Sequence, residues 1–244
     1  MIASSKSYYS SLAQVIVHQS VNEYVCYNAL GGKIELILLE PEDIPNLSKI
    51  KEDRLSQTTR LNLVLHKVTE FDDRYFDLYK SALEDLSIQL RSTLNKKIDT
   101  QINVLSDLLF TQTMNNCGAG VNSITLSPNG KLYLCPGFYY EEPEDNIGDL
   151  SEGVVINNQH LLTINYAPIC RTCDAFQCRR CIWLNHKLTG EHNTPSKQQC
   201  IISHIERNQS RVLLNTLREM DRSFAQGRVI KEIDYLDPFE KVRR

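Results

Sequence analysis

No stretch of this sequence is apolar for anything near the ~20 residues that crossing a bilayer takes, so no membrane span is expected. The N-terminus, Met1-Ile2-Ala3-Ser4-Ser5-Lys6, lacks the charged segment, apolar stretch and small-residue cleavage site of a secretory leader. That predicts a cytoplasmic protein. An excess of charge of one sign is missing as well. A net charge of −3 gives no electrostatic ground for binding nucleic acid or a membrane surface. No Ser/His/Asp arrangement and no phosphate-cradling loop stands out, so hydrolase and NTPase readings have no support. Internal repeats and low-complexity segments are absent, and Trp183 is the single tryptophan.

What the sequence does have is cysteine. The 244 residues suffice for one large or two modest domains, and 41% hydrophobic with 23% charged content is ordinary for a soluble chain. Seven of the eight cysteines fall between Cys117 and Cys200. Disulfides are a poor default in a chain that is not secreted. Core cysteines would be scattered, so the clustering points to metal.

The chain divides near residue 112. Before it, Ile34–Leu39 reads as a buried strand and Leu61–Leu65 as a second. Ile44–Thr58 fits a helix or a loop. Asp72 to about Thr93 reads as an amphipathic helix, with Phe71, Tyr75, Tyr79, Leu83, Leu86 and Leu90 on one stripe. Ile102–Leu109 fits a third strand or a short helix. This β/α alternation predicts an α/β fold with a parallel sheet. About 110 residues are too few for a full eight-unit barrel of ~250, which leaves a partial, barrel-like (β/α) region over 1–112.

Beyond residue 112 the character changes. Val121–Leu126, Ser127-Pro128-Asn129-Gly130 and Lys131–Leu134 read as a β-hairpin, with Gly130 suited to positive φ. Glu141–Asp145 reads as a solvated acidic loop. A helix is predicted from Thr194 as N-cap and Pro195 at its first position. Its apolar face would carry Ile202, Ile205, Val212, Leu213, Leu217 and Met220, and Gly227 would stop it. The cysteine-rich part then covers 113–226, followed by a polar tail over 227–244.

The cysteines follow the pattern C-x12-G-x4-C from Cys117 through Gly130 to Cys135, then C-x2-C-x4-C-x2-C over Cys170, Cys173, Cys178 and Cys181, then Cys200. A cubane 4Fe–4S cluster takes four thiolates, so seven ligands fall one short of two clusters. A zinc ribbon wants two C-x2-C knuckles set ~12 to 20 residues apart. Only four residues separate Cys173 from Cys178, which is awkward for one tetrahedral ion. The spacing is easier if consecutive cysteines serve different clusters. Iron–sulfur is therefore favoured, with zinc as the rival.

This pattern resembles the SPASM domain, the auxiliary-cluster domain of many radical S-adenosylmethionine enzymes that modify peptides. The hairpin with Gly130 five positions before Cys135 matches it, whereas the x2, x4, x2 spacings of the compact group differ from the commoner x2, x5, x3. The chain is most similar to the CXXX repeat peptide maturases. Met114-Asn115-Asn116-Cys117, Leu134-Cys135-Pro136-Gly137-Phe138-Tyr139-Tyr140, Ile147-Gly148-Asp149-Leu150, Cys170–Cys178 and Asn193-Thr194-Pro195-Ser196 carry the likeness, over about residues 60–220. The resemblance implies two 4Fe–4S clusters. Cys117, Cys135 and Cys181 would hold the first, its fourth ligand open, and Cys170, Cys173, Cys178 and Cys200 the second. The family often supplies the fourth ligand just upstream of the hairpin, where this chain has Thr111, Gln112 and Thr113. Cys26 would serve only if the fold brought it close; a lone cysteine in an apolar strand is usually core.

The C-x3-C-x2-C motif of radical chemistry is absent from this chain. S-adenosylmethionine would thus act only with a complete radical core supplied elsewhere, whether the chain is the C-terminal part of something larger, a split or truncated relative, or the companion of a separate radical S-adenosylmethionine protein. The catalytic residues are not identifiable, and whether the chain is itself an enzyme is open. Arg179 and Arg180, between two ligands, would favour reduced clusters if close and mean nothing if solvent-facing. His186 and His192 suit surface or capping roles better than iron. Trp183 is expected to pack the cluster loop, and Tyr139 and Tyr140 to line a peptide groove or to serve as core or rim packing. Two functions follow: a component of a maturase acting on a cysteine-containing precursor peptide, or a non-catalytic iron–sulfur, less readily zinc, module that binds a peptide or a partner.

Overall fold

A computed structural model describes residues 16–20, 23–27, 31–96 and 100–220. The expected stop at Gly227 and the tail over 227–244 lie outside the described residues. The strands of the first half are β1 (Ile16–Ser20), β2 (Glu23–Tyr27), β3 (Lys33–Leu39), β4 (Arg60–Leu65) and β5 (Gln101–Ile102). The helices among them are α1 (Glu52–Ser56), α2 (Asp73–Asn95) and α3 (Asn103–Ser106), with a 3-10 helix over Pro41–Lys49. The second half carries β6 (Asn115–Asn116), β7 (Thr125–Leu126), β8 (Leu132–Tyr133), β9 (Gly148–Asp149), β10 (Gly153–Val154) and β11 (Arg179–Arg180). Its helices are α4 (Pro136–Glu141), α5 (Ile182–Thr189) and α6 (Lys197–Glu219). None of the described helices is long and apolar enough to cross a membrane.

Two compact units result. One holds the described residues through Thr111 and again from Ile201; the other holds Gln112–Cys200. Most of α6 thus belongs to the first unit, although its sequence follows the cysteines. The reason lies in its apolar face. Ile202, Leu213, Leu214 and Leu217 join the same buried cluster as the α2 stripe, Tyr79, Leu83, Leu86 and Leu90. Leu214 takes the place that the sequence pattern gave Val212, which is exposed.

The sheet of the first unit runs β1-β2-β3-β4-β5. β3, β4 and β5 pair in parallel, as the β/α rhythm predicts, but β1 and β2 add an antiparallel edge. The fold is mixed α/β. Ile44–Thr58 resolves into the 3-10 helix and α1. Ile102–Leu109 is both of the expected alternatives, a two-residue strand and then α3. β5 stops because Asn103 replaces the ladder: its Oδ1 accepts from the Leu63 N–H at 2.9 Å and its Nδ2 donates to the Leu63 carbonyl at 2.9 Å. The Asp72 side chain caps α2 by accepting from the Tyr75 N–H at 3.0 Å.

β3 differs from the expected fully buried strand. Alternate residues are buried, and one of them is Glu35, 1% exposed. Its carboxylate meets Lys33 Nζ at 2.8 Å, Arg54 Nη2 at 2.6 Å and the Thr58 hydroxyl at 2.6 Å. Burial pushes its pKa up, but hydrogen bonds from Lys33, Thr58 and Arg54 outweigh that and hold the carboxyl below its usual value.

In the second unit the predicted hairpin forms with shorter strands. β7 pairs with β8, the Gly130 N–H donates to the Ser127 carbonyl at 3.0 Å, and Gly130 has φ +82°. α6 begins later than Thr194. The Ser196 hydroxyl accepts from the Gln199 N–H at 3.2 Å, so Ser196 does the capping expected of Thr194.

Candidate metal centre

The sequence folds locally so that cysteines sit at the ends of very short elements. β6 and β11 pair in parallel, with Asn116 opposite Arg180. The next residues on each strand are Cys117 and Cys181, so the ladder delivers these two cysteines side by side. Cys181 is also the N-cap of α5, its sulfur accepting from the Leu184 N–H at 3.5 Å.

The hairpin supplies the third member. Cys135 lies two residues beyond β8 at the N-cap position of α4, without a side-chain cap hydrogen bond, and Pro136 opens the helix without needing an acceptor. Burial pushes the Cys135 thiol up. The N–H groups of Phe138 and Gly137 oppose the rise, while Cys181 and Cys117 stand near enough to add to it. Cys117, Cys135 and Cys181 therefore converge from three separate segments.

The compact group is built from tight turns. The Cys173 N–H donates to the Cys170 carbonyl at 3.1 Å, and the Cys178 N–H to the Ala175 carbonyl at 2.9 Å. The Cys173 sulfur accepts from the Ala175 N–H at 3.4 Å. Cys170 is buried beside Cys173, and burial pushes its thiol up to about 11. Cys200 is buried on the first turn of α6, its N–H donating to the Ser196 carbonyl at 3.1 Å. Among the described residues the seven cysteines are thiols, not disulfides.

The chemistry of the donor set fits iron–sulfur clusters: the cysteines supply thiolates and nothing harder, as cubane ligation requires.

Arg180 is not solvent-facing. It is 2% exposed, among the largest buried side chains of the chain. Its Nη2 donates to the His192 carbonyl at 3.3 Å and to Asn193 Oδ1. Burial lowers its pKa, and the neighbouring Cys170, Cys117 and Cys178 oppose that fall. Asn185, which the sequence reading did not single out, and Asn193, which it named only as part of the family likeness, hold the loop around it. Asn185 Nδ2 donates to the His192 carbonyl at 3.0 Å and Asn193 Nδ2 to the His160 carbonyl at 3.1 Å.

A small apolar cluster of Ala119, Tyr133, Leu134, Phe138, Leu162 and Ile182 packs against Cys135. Trp183 lies over Gly137, so close that a Cβ there would stand 2.6 Å from Trp183 Cγ. Tyr139 tilts against Tyr133, while Tyr140 is 77% exposed. The acidic run is solvated as expected, exposed at every position but the half-buried Glu142, and His186 Nε2 lies 3.3 Å from Glu142 and 3.6 Å from Asp145. His192 stacks on Phe138. Neither histidine shows a cysteine among its described partners. Upstream of the hairpin, Gln112 and Thr113 are exposed, and Cys26 lies on β2 in the first unit. Neither a scan of protein-family models nor a search of curated proteins finds a match to this chain.

Proposed function

We propose that the chain is an iron–sulfur protein that works as a component of a radical S-adenosylmethionine, SPASM-type maturase. Its substrate would be a ribosomally made peptide with cysteines, of the CXXX repeat kind. In this reading the first unit is a remnant of a (β/α) barrel and the second a SPASM-like auxiliary-cluster domain. The observation that carries the proposal is the convergence of Cys117, Cys135 and Cys181 from the β6–β11 ladder, the hairpin and the caps of α4 and α5. These three would hold one 4Fe–4S cluster. Cys170, Cys173, Cys178 and Cys200 would hold the other. Bound clusters supply one-electron transfer and, at an iron without a protein thiolate, a position for a substrate thiol.

The chain's own residues have three tasks. The N–H groups of Phe138 and Gly137 counter the rise that burial gives the Cys135 thiol, and the Leu184 N–H donates to the Cys181 sulfur. Trp183, Phe138 and Ile182 exclude water from the buried side of the triad. Cys117 is exposed and leaves the other side open to a peptide. These 244 residues do not include C-x3-C-x2-C, so S-adenosylmethionine would be bound by a radical core supplied elsewhere. Reduced thiols and clusters suit the cytoplasm.

The test mixes the anaerobically reconstituted chain with a cysteine-bearing CXXX peptide and with its serine version. A change in the cluster spectrum with the cysteine peptide alone is expected. Equal responses to both would rule out thiol binding. The missing motif also favours a second reading, a peptide-binding platform with no turnover. Tight peptide binding without co-purification of a C-x3-C-x2-C protein would select it.

A further inference from the structure

A buried guanidinium is costly unless anions surround it. Arg180 is 2% exposed, yet only one of its nitrogens is satisfied by oxygen. Nη2 is held by the His192 carbonyl and Asn193, whereas Nε and Nη1 are buried with no hydrogen-bond partner. The groups that face it are sulfurs. The Cys170 thiol lies beside the guanidinium without completing a hydrogen bond to either of those nitrogens, and Cys117 and Cys178 are its other neighbours. These cysteines come from both ligand sets: Cys117 from the first, Cys170 and Cys178 from the second. The backbone fixes this placement, because β11 locks Arg180 opposite Asn116 and the Arg180 N–H donates to the Cys178 carbonyl at 3.1 Å.

We propose that Arg180 is a positioning residue shared by the two clusters, its buried cation and the three N–H groups of Nε and Nη1 set between their thiolates so that it raises both reduction potentials together. The inference rests on the two-cluster reading above. Arginine stays protonated at working pH, so the charge is permanent. A cation beside a cluster favours the reduced, more negative state, and N–H donors to sulfur act in the same direction. Loss of one such charge at effective dielectric ~20 is on the order of tenfold in each reduction equilibrium. For a one-electron couple tenfold is about 59 mV.

The experiment loads the full chain and its R180Q and R180K variants anaerobically with ferrous iron and sulfide. Iron content is measured, and each cluster is titrated by electron paramagnetic resonance against a potential scale. In R180Q both midpoints are expected to fall by about tenfold in equilibrium. R180K keeps the charge but loses the planar fork, so both midpoints should recover most of the way. A shift confined to one cluster, or to neither, overturns the shared placement. If R180Q does not load, R180K decides: small negative shifts of both midpoints support the inference, and a shift of one alone sinks it. A wild-type chain that takes up no iron and sulfide sinks the two-cluster reading and this inference with it. A loaded wild type with unmoved variant potentials sinks the inference alone.

Discussion

Gly137→Ala is the smallest change that should separate the two clusters. Gly137 is the second residue of α4, directly after Cys135-Pro136, and Trp183 is two residues beyond Cys181 on α5. A Cβ at Gly137 would lie 2.6, 2.7 and 2.9 Å from Trp183 Cγ, Cδ2 and Cδ1, where ordinary contact begins at 3.4 Å. The ring has little freedom to retreat. Lys187 Nζ sits over it at 4.9 Å and is itself paired with Glu141. The ring also borders the buried Phe138 cluster. Either the ring turns off its rotamer or α4 and α5 move apart, which separates Cys135 from Cys181. Overpacking of this kind costs about 1–3 kcal/mol. At tenfold per ~1.4 kcal/mol, the first cluster should be lost to a chelator roughly 5- to 150-fold more readily. The second cluster should stay unchanged. Iron and sulfide counts during chelator challenge, resolved by electron paramagnetic resonance, read this directly. W183L in the same chain should relieve much of the defect, since it removes the clashing ring. Equal loss of both clusters, or no relief from W183L, would refute the coupling of α4 to α5 through that contact.

Other perturbations follow the same logic. C181A should cut iron from about eight to about four per chain and spare the second cluster's signal, while C173A should do the reverse; loss of both signals in either variant counts against two separate ligand sets. E35Q should destabilise the first unit by about 2 kcal/mol at pH 7, the worth of hydrogen bonds to a buried charge. Glu35's folded pKa lies below its ordinary 4.5, so its contribution is complete above that pH and is lost as pH falls through the lowered value. The stability gap between wild type and E35Q, taken from urea melts, should therefore shrink below pH 4.5, and a gap constant with pH would contradict the assignment. Y79F removes the hydroxyl that donates to Glu206 at 2.9 Å and should cost about 1–2 kcal/mol, measured the same way.

The parts of the fold legible in the sequence are those with a long period or strong turn chemistry. The α2 stripe with its Asp72 cap is one, and Ser127-Pro128-Asn129-Gly130 is another. What escaped was decided by partners far away in the chain. β6 and β11 have two residues each, too short for any periodicity, yet their pairing sets Cys117 beside Cys181. Ile34–Leu39 read as a buried strand with Glu35 inside it, and nothing local shows that Arg54, Lys33 and Thr58 close around its carboxylate. The C-terminal helix read correctly as amphipathic, but no local signal says that its face belongs with α2. Arg180 is similar: spacing put it between ligands, and only the acceptors at His192 and Asn193 turn it inward. For the cysteines, spacing suggested interleaving and the family likeness supplied the sets. The geometry adds the neighbours within each turn and the cation among them.

The most direct measurement is elemental: iron, acid-labile sulfide and zinc per chain, with a visible spectrum, after anaerobic purification and reconstitution. Two cubane clusters predict about eight irons and eight sulfides, a brown protein and no stoichiometric zinc. A colourless protein carrying one zinc or more per chain and no sulfide would contradict the claim outright.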